Sequence, residues 1–464
     1  MWLASNYSLD WPSKPYRNSN DINEQQEELI NILDKLKAAH FNVVFLQTRL
    51  HGNVIYNSAI EPVSPYIQRV KNTWSNYDPL RFAIQECHKR GLECHAWFVT
   101  YPAGPEKVNG KANNSSTIKK NRDKLRTHKG QYYLDPGEPK TNEYLLGLID
   151  EIVSRYDIDG IHLDYIRYPD NAENFPDNAS YKRYGKGKNK SEWRKENINN
   201  FVSELYDAVK EKKPWVQVSS SVVGMYSHTN NSNQRHQTAL KGVYQDPEKW
   251  LRDGKHDFIV PMMYYSDDLF YPFVQDWKTR RNGRYIVPGL GLYQMDEKES
   301  NWSSVKIKEQ IQYCRENKVN GNAFYRTRYL VNNKKGIMDA IKTNFYQHPA
   351  LLPPMTWQDT THLIAPVNIR AKRTGIYLGL SWSEPVQPGN RDVFYNVYRS
   401  KNLPVDVQKA ENLVEARIKG SMLFIPVDDS IESGYYYVVT SYDRFHNESK
   451  LSSSVYFVTG DFEK

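Results

Sequence analysis

Eight strand-like segments, each followed by a helix-like one, run without interruption through the first 345 residues. This strict alternation constrains the fold more than any other feature of the chain. The strand segments are 2–5, 42–47, 93–98, 160–164, 216–220, 258–263, 285–288 and 322–325. Between them, apolar residues recur at helical spacing, as in Leu29, Ile32, Leu33 and Leu36, or Ile307, Ile311 and Cys314. Asp78-Pro79, Asp135-Pro136 and Asp246-Pro247 supply N-cap and N1 pairs, and Gly91 and Gly254 stop helices. Each intervening helix carries the chain back to start the next strand in the same direction, so the sheet is parallel. Eight such units fit a (β/α)8 TIM barrel with long insertions. An open doubly wound sheet is the alternative, but no G-x-G-x-x-G follows any strand.

The pattern changes near residue 346. His348-Pro349-Ala350-Leu351-Leu352-Pro353-Pro354 reads as an extended, Pro-rich linker. Beyond it the runs are strand only, which predicts a small all-β sandwich. The expected division is a barrel over 1–347, a linker over 348–358 and a sandwich over 359–464. Leu380-Ser381-Trp382, Tyr395-Asn396-Val397-Tyr398-Arg399 and 437–443 resemble the strands of a fibronectin type III domain.

Composition narrows the class. Hydrophobic residues at 39% and charged residues at 25% exclude a disordered chain. No run approaches the ~20 apolar residues of a membrane helix, so no span is expected. Three cysteines, Cys87, Cys94 and Cys314, make neither a disulfide scaffold nor zinc-ligand spacing. Aromatic residues reach 13%, with 34 Tyr and 11 Trp, and such rings suit the faces of sugars or bases, or simple packing in a large β-rich domain. Residues 101–130 carry eight cations, including Lys107, Lys111, Lys119, Lys120, Arg122 and Lys129, against Glu106 and Asp123. Six of the net charge of +8 therefore sit in one segment after the third strand, where they can steer an anionic glycan or form a solvated lid.

A TIM barrel keeps its chemistry at the C-terminal strand ends. Polar residues there are the candidates. The second strand offers Gln47 and Arg49. The third offers His95 and Trp97 on one face, with Tyr101 beyond. The fourth offers His162 and Asp164 on one face, then Arg167. The sixth ends in Tyr264-Tyr265, the seventh leads to Tyr293, and the eighth ends in Tyr325-Arg326. Asp164 stands out, because a carboxylate on a strand of Ile and Leu is costly to bury without a partner. The expected catalytic residues are Asp164, His162 and Tyr264. Gln47, Arg49, His95, Trp97, Tyr101, Arg167 and Tyr265 are expected to bind substrate, with Trp97 presenting its ring to a sugar. Glu61, Asp267, Asp268 and Asp296 are candidates for a second carboxylate.

The run Asp159-Gly160-Ile161-His162-Leu163-Asp164-Tyr165-Ile166-Arg167-Tyr168-Pro169 resembles the fourth-strand signature of the glycosyl hydrolase-like 10 family. Phe45-Leu46-Gln47-Thr48-Arg49, His95-Ala96-Trp97-Phe98, Leu134-Asp135-Pro136-Gly137 and 257–264 add to the resemblance. It implies a barrel glycosidase exported to the periplasm or cell surface, acting on an oligo- or polysaccharide such as peptidoglycan glycan strands. The same run is similar to the chitinase signature of glycoside hydrolase family 18, but Ile166 occupies the place of its Glu. No cofactor and no metal is called for. No nucleic-acid motif is present, so no nucleic-acid partner is expected. With one carboxylate placed, a substrate carrying a 2-acetamido group fits best, since its own carbonyl can serve as nucleophile. The alternative is a non-catalytic carbohydrate-binding barrel.

Overall fold

The computed structural model describes residues 1–69, 77–228, 237–427 and 434–458; the end of the expected sandwich, 459–464, lies outside them. Its main sheet takes the eight barrel strands in chain order. They are β1 (Trp2–Leu3), β2 (Val43–Leu50), β3 (Glu93–Val99), β4 (Gly160–Asp164), β5 (Gln217–Val223), β6 (Phe258–Met262), β7 (Gly289–Gly291) and β8 (Ala323–Tyr325). Every adjacent pair is parallel. The principal helices between them are α1 (Ser19–Ala38), α2 (Pro79–Lys89), α3 (Pro139–Arg155), α4 (Lys190–Lys212), α5 (Pro247–Arg252), α6 (Asp267–Thr279) and α7 (Ser304–Glu316). β8 returns beside β1, where Thr327 Oγ1 donates to Trp2 O at 2.7 Å. The architecture is a TIM barrel.

The seventh strand differs from its expected span of 285–288. Tyr285–Ile286 pairs with Phe258 and Ile259, and the ladder resumes only at Gly289 opposite Met262. Pro288 lies between the two pieces and has no N–H to give the ladder. Outward residues such as Leu46, Phe98, Ile161 and Leu163 are buried like the inward ones, as a sheet covered by helices requires.

The basic segment after β3 is folded. Pro102–Pro105, Leu125–His128 and Gln131–Leu134 form a three-stranded antiparallel sheet, with a short hairpin and the helix Ser116–Lys120. Thr117 Oγ1 donates to Gly52 O (2.7 Å), and a ring nitrogen of His128 meets Asp170 O (2.9 Å). The insert is thereby pinned to the loops after β2 and β4.

Two compact units divide the chain. One holds 1–35, 43–87 and 93–340; the other holds 36–42, 88–92 and 341–464. The division falls at 340, seven residues before the boundary read from the sequence. In the second unit, Val367–Thr374, Tyr377–Ser383 and Met422–Pro426 form one antiparallel sheet. Leu413–Ile418, Val393–Ser400, Tyr435–Asp443 and Val455–Phe457 form another. Leu378, Leu380, Trp382, Tyr395, Val397 and Tyr437 fill the space between them. The Pro-rich stretch is laid against this sandwich. Tyr442 Oη donates to Leu352 O (3.2 Å), His446 Nδ1 to Pro353 O (3.0 Å) and Met355 N to Phe445 O (2.9 Å).

Candidate active site

Alternation along the strands fills the barrel in layers. Lowest are Glu93, His95 and Gln217. His95 Nε2 lies 3.0 Å from Glu93 Oε2, which also accepts from Gln217 Nε2 (2.9 Å). The imidazole occupies the space beside Gly160, where a Cβ would come within 2.4 Å of His95 Nδ1. Above lies His162, stacked on Phe45 at 4.0 Å and hydrogen-bonded to Ser219 and Ser221 of β5. Trp2 Nε1 donates to His162 Nε2 (3.1 Å), so the ring proton sits on Nδ1, toward Ser219 Oγ at 2.9 Å. Burial, with His95 adding to it, holds the His162 pKa well below its usual value, and the ring is neutral at neutral pH.

Asp164 ends β4 one step higher and retains 7% exposure. Trp97 Nε1 donates to its Oδ2 (3.1 Å) and the Tyr165 backbone N–H to its Oδ1 (2.8 Å). Tyr165 adopts φ 49°, a left-handed conformation that is uncommon for a residue with a side chain. Burial lifts the Asp164 carboxyl above the usual carboxylate range. The two N–H donors and the Arg167 charge oppose that lift without cancelling it. A raised carboxyl at a strand end makes Asp164 a candidate acid–base group.

Aromatic rings surround this carboxyl. Tyr264 stacks on Tyr325 (5.8 Å, 25°) and meets Tyr293 edge-on (5.5 Å). Tyr325 meets Trp97 edge-on at 6.4 Å. Burial, then Tyr325 and Asp164, hold the Tyr264 hydroxyl well above its usual pKa, so it remains a donor.

The other expected residues fall into two groups. Arg167 stays near Asp164 and bonds Asp170 Oδ1 (2.8 Å). Gln47 uses its amide oxygen on Ser5 N (3.2 Å) beside β1. Tyr265 packs against Gly224, and burial pushes its hydroxyl up to about 12. Trp97 is only 4% exposed and belongs to the interior cluster, so its edge serves Asp164 while its face is covered. Tyr101 turns outward onto Phe201 of α4. Arg49 also turns away from the mouth. Its Nε and Nη2 donate to Glu61 at 2.9 and 2.7 Å, its Nη1 to Thr100 O at 2.8 Å and to Val99 O. Of the second carboxylates, Glu61 is taken by that pair. Asp267 faces Lys306 (3.2 Å), Asp268 accepts from Ser266 Oγ (2.6 Å), and Asp296 accepts from Lys298 N (3.0 Å).

Asp10 was not among the candidates. Its buried carboxylate accepts from Ala4 N (2.9 Å) and Arg328 N (2.8 Å), joining the loop after β1 to the chain after β8. Its sequence neighbourhood is not strand-like, and only the three-dimensional return of residue 328 reveals it. Tyr293 and Tyr325 were legible as strand-end rings but not as a pair with Tyr264.

The glycosyl hydrolase-like 10 family profile matches residues 1–294. The glycosyl hydrolase YngK of Bacillus subtilis (strain 168) is 30% identical over 480 aligned residues, covering 97% of this chain and 92% of YngK. The glycosyl hydrolase DigH of Escherichia coli (strain K12) is 30% identical over 324 aligned residues, 64% of this chain and 73% of DigH. The PgaB (BpsB) glycoside hydrolase domain from Bordetella bronchiseptica is similar at TM-score 0.49 and 13% identity, covering 74% of this chain and 97% of that one. With well over half its length matched by one family and nearly all of it aligned to a relative, the chain belongs to the glycosyl hydrolase-like 10 family.

Proposed function

We propose that this chain hydrolyses O-glycosidic bonds in an N-acetylhexosamine polymer such as peptidoglycan glycan strands, with Asp164 as the principal catalytic carboxylate. The observation that carries this reading is the raised carboxyl of Asp164 at the end of β4, ringed by Trp97, Tyr264 and Tyr325. A raised pKa enlarges the protonated fraction at mildly acidic pH, which suits proton donation to a departing glycosidic oxygen. Every other carboxylate weighed for the site is engaged elsewhere, which favours nucleophilic attack by the substrate's own 2-acetamido oxygen. Tyr264 then donates a hydrogen bond to the acetamido group. His162, neutral and bonded on both nitrogens, acts as a positioning residue beneath Asp164. Action outside the cytoplasm belongs to this proposal, because such strands lie there. The three- and four-stranded sheets of the second unit favour the fibronectin type III reading of the tail.

Glycan strands and the same strands after N-deacetylation provide the test. Cleavage of the acetylated polymer is expected, and the deacetylated one should resist. Equal rates on both would sink substrate assistance. Binding without cleavage of any glycan would point to a carbohydrate-binding barrel instead.

A pH profile tests the role of Asp164 separately. Trp97→Phe keeps most of the ring packing but deletes the N–H that favours the charged carboxylate. The Asp164 pKa should rise, and the limb of the pH–rate profile that reports it should move to higher pH. An unmoved profile would mean that a different group sets that limb.

A further inference from the structure

We infer that the outer face of the three-stranded sheet in the second unit is a separate glycan-binding surface for a carboxylate-bearing polysaccharide. This inference rests on the proposal that the barrel's substrate is a glycan. Alternation sends Leu378, Leu380, Leu423 and Ile425 toward the sandwich core. The solvent face of such a sheet is ordinarily polar. Here it presents Tyr377 at 42% exposure and Met422 and Phe424 at 53% each. Gly379 pairs with Phe424, and the ring covers it: a Cβ there would come within 3.2 Å of Phe424 Cε1. A Cβ at 379 would crowd the ring by a few tenths of an ångström. The glycine thus lets an aromatic ring lie down on the strand with its outer side in water.

A flat exposed ring beside a second one suits the C–H face of a pyranose, and the charge around them selects among glycans. Arg370 and Lys372 point out on the neighbouring strand, opposite Ser381 and Gly379. Among the described residues neither has an ion-pair or hydrogen-bond partner, and the outward positions of the three strands include no Asp or Glu. The surface therefore complements an anion. A second copy of this chain fits poorly, because a two-fold contact through this face would set the same cations against each other. An anionic polymer fits also because Lys107, Lys111, Lys119, Lys120, Arg122 and Lys129 of the barrel's insert are exposed and without ion-pair partners among the described residues.

The test uses the full chain. Retention is measured on insoluble peptide-stripped peptidoglycan strands, which carry carboxylates, and on neutral chitin, while turnover is followed on a short soluble oligosaccharide. Tyr377→Ala/Phe424→Ala should lower retention on the strands at least about tenfold, because stacked apolar area is lost, with soluble turnover and melting temperature unchanged. Arg370→Glu/Lys372→Glu should lower retention on the strands and leave chitin unaffected. Unchanged retention in the aromatic variant, or a wild type that neither polymer retains, overturns the inference. So does binding to phosphatidylglycerol vesicles, or a dimer, that the aromatic variant abolishes while retention persists. Retention that depends on Phe424 without any hydrolysis would instead remove the barrel's activity and leave this surface standing.

Discussion

Asp164→Asn is expected to lower glycan hydrolysis by about 10²–10⁴-fold while the fold survives. Asn keeps the volume of the side chain and can still accept one of the two N–H groups, from Trp97 or Tyr165. It cannot deliver a proton. The same substitution has a stability signature of known sign. The folded carboxyl titrates above its ordinary value because burial penalises the charge. A carboxyl raised on folding contributes most below its unfolded pKa, and that contribution is lost as pH rises through the folded value. At pH 7 the wild type therefore carries the cost of a buried charge that the Asn variant lacks. The variant should melt no lower than the wild type at pH 7, and its relative advantage should shrink as the pH falls toward 4. Steady-state hydrolysis and thermal melts at the two pH values check both halves. A folded variant with near-normal turnover would end the assignment of Asp164, whatever the melting data show.

The placement of Asp164 was legible because two rules sufficed. Period-2 alternation put it on the inner face with His162, and the barrel rule put chemistry at the strand end. Both hold where a strand is regular, and β4 pairs with β3 without a break from Gly160 to Asp164. Arg49 failed the same reasoning for a physical cause. Gln47 pairs with Trp97, but Arg49 pairs with Phe98, so β2 has one extra residue at Thr48. A bulge of this kind flips every later side chain to the opposite face. Arg49 is thereby aligned with outward Phe98 rather than inward Val99, and its guanidinium lies over the Phe98 ring at 5.0 Å. No residue type in Gln47-Thr48-Arg49 announces the bulge. Tyr101 is a simpler case, since it lies past the last residue of β3 and alternation no longer governs it. The tyrosines around Asp164 come from β8 and from the segments that follow β6 and β7. Each was visible alone, and only closure of the barrel makes them neighbours.

Glu61→Ala should destabilise the protein by about 3–5 kcal/mol without changing the KM of the molecules that remain folded. Both side chains of the Arg49–Glu61 pair are 0% exposed. The pair is bidentate, and Tyr144 Oη adds a further hydrogen bond to Glu61 Oε1 at 2.5 Å. Truncating Glu61 strands a guanidinium where water cannot reach it, and that uncompensated charge dominates the loss. Replacing both partners removes the charge together with its counterion. Arg49→Met/Glu61→Leu should therefore recover much of the stability lost in Glu61→Ala. The cycle also decides what Arg49 does. As a wall residue behind the barrel, it can be exchanged with Glu61 at little expense to KM. As a substrate ligand, it cannot, and the double variant would be stable yet bind glycan poorly. Denaturant unfolding and Michaelis constants on the single and double variants separate the two. A double variant with restored stability and a KM raised tenfold or more would return Arg49 to the active site.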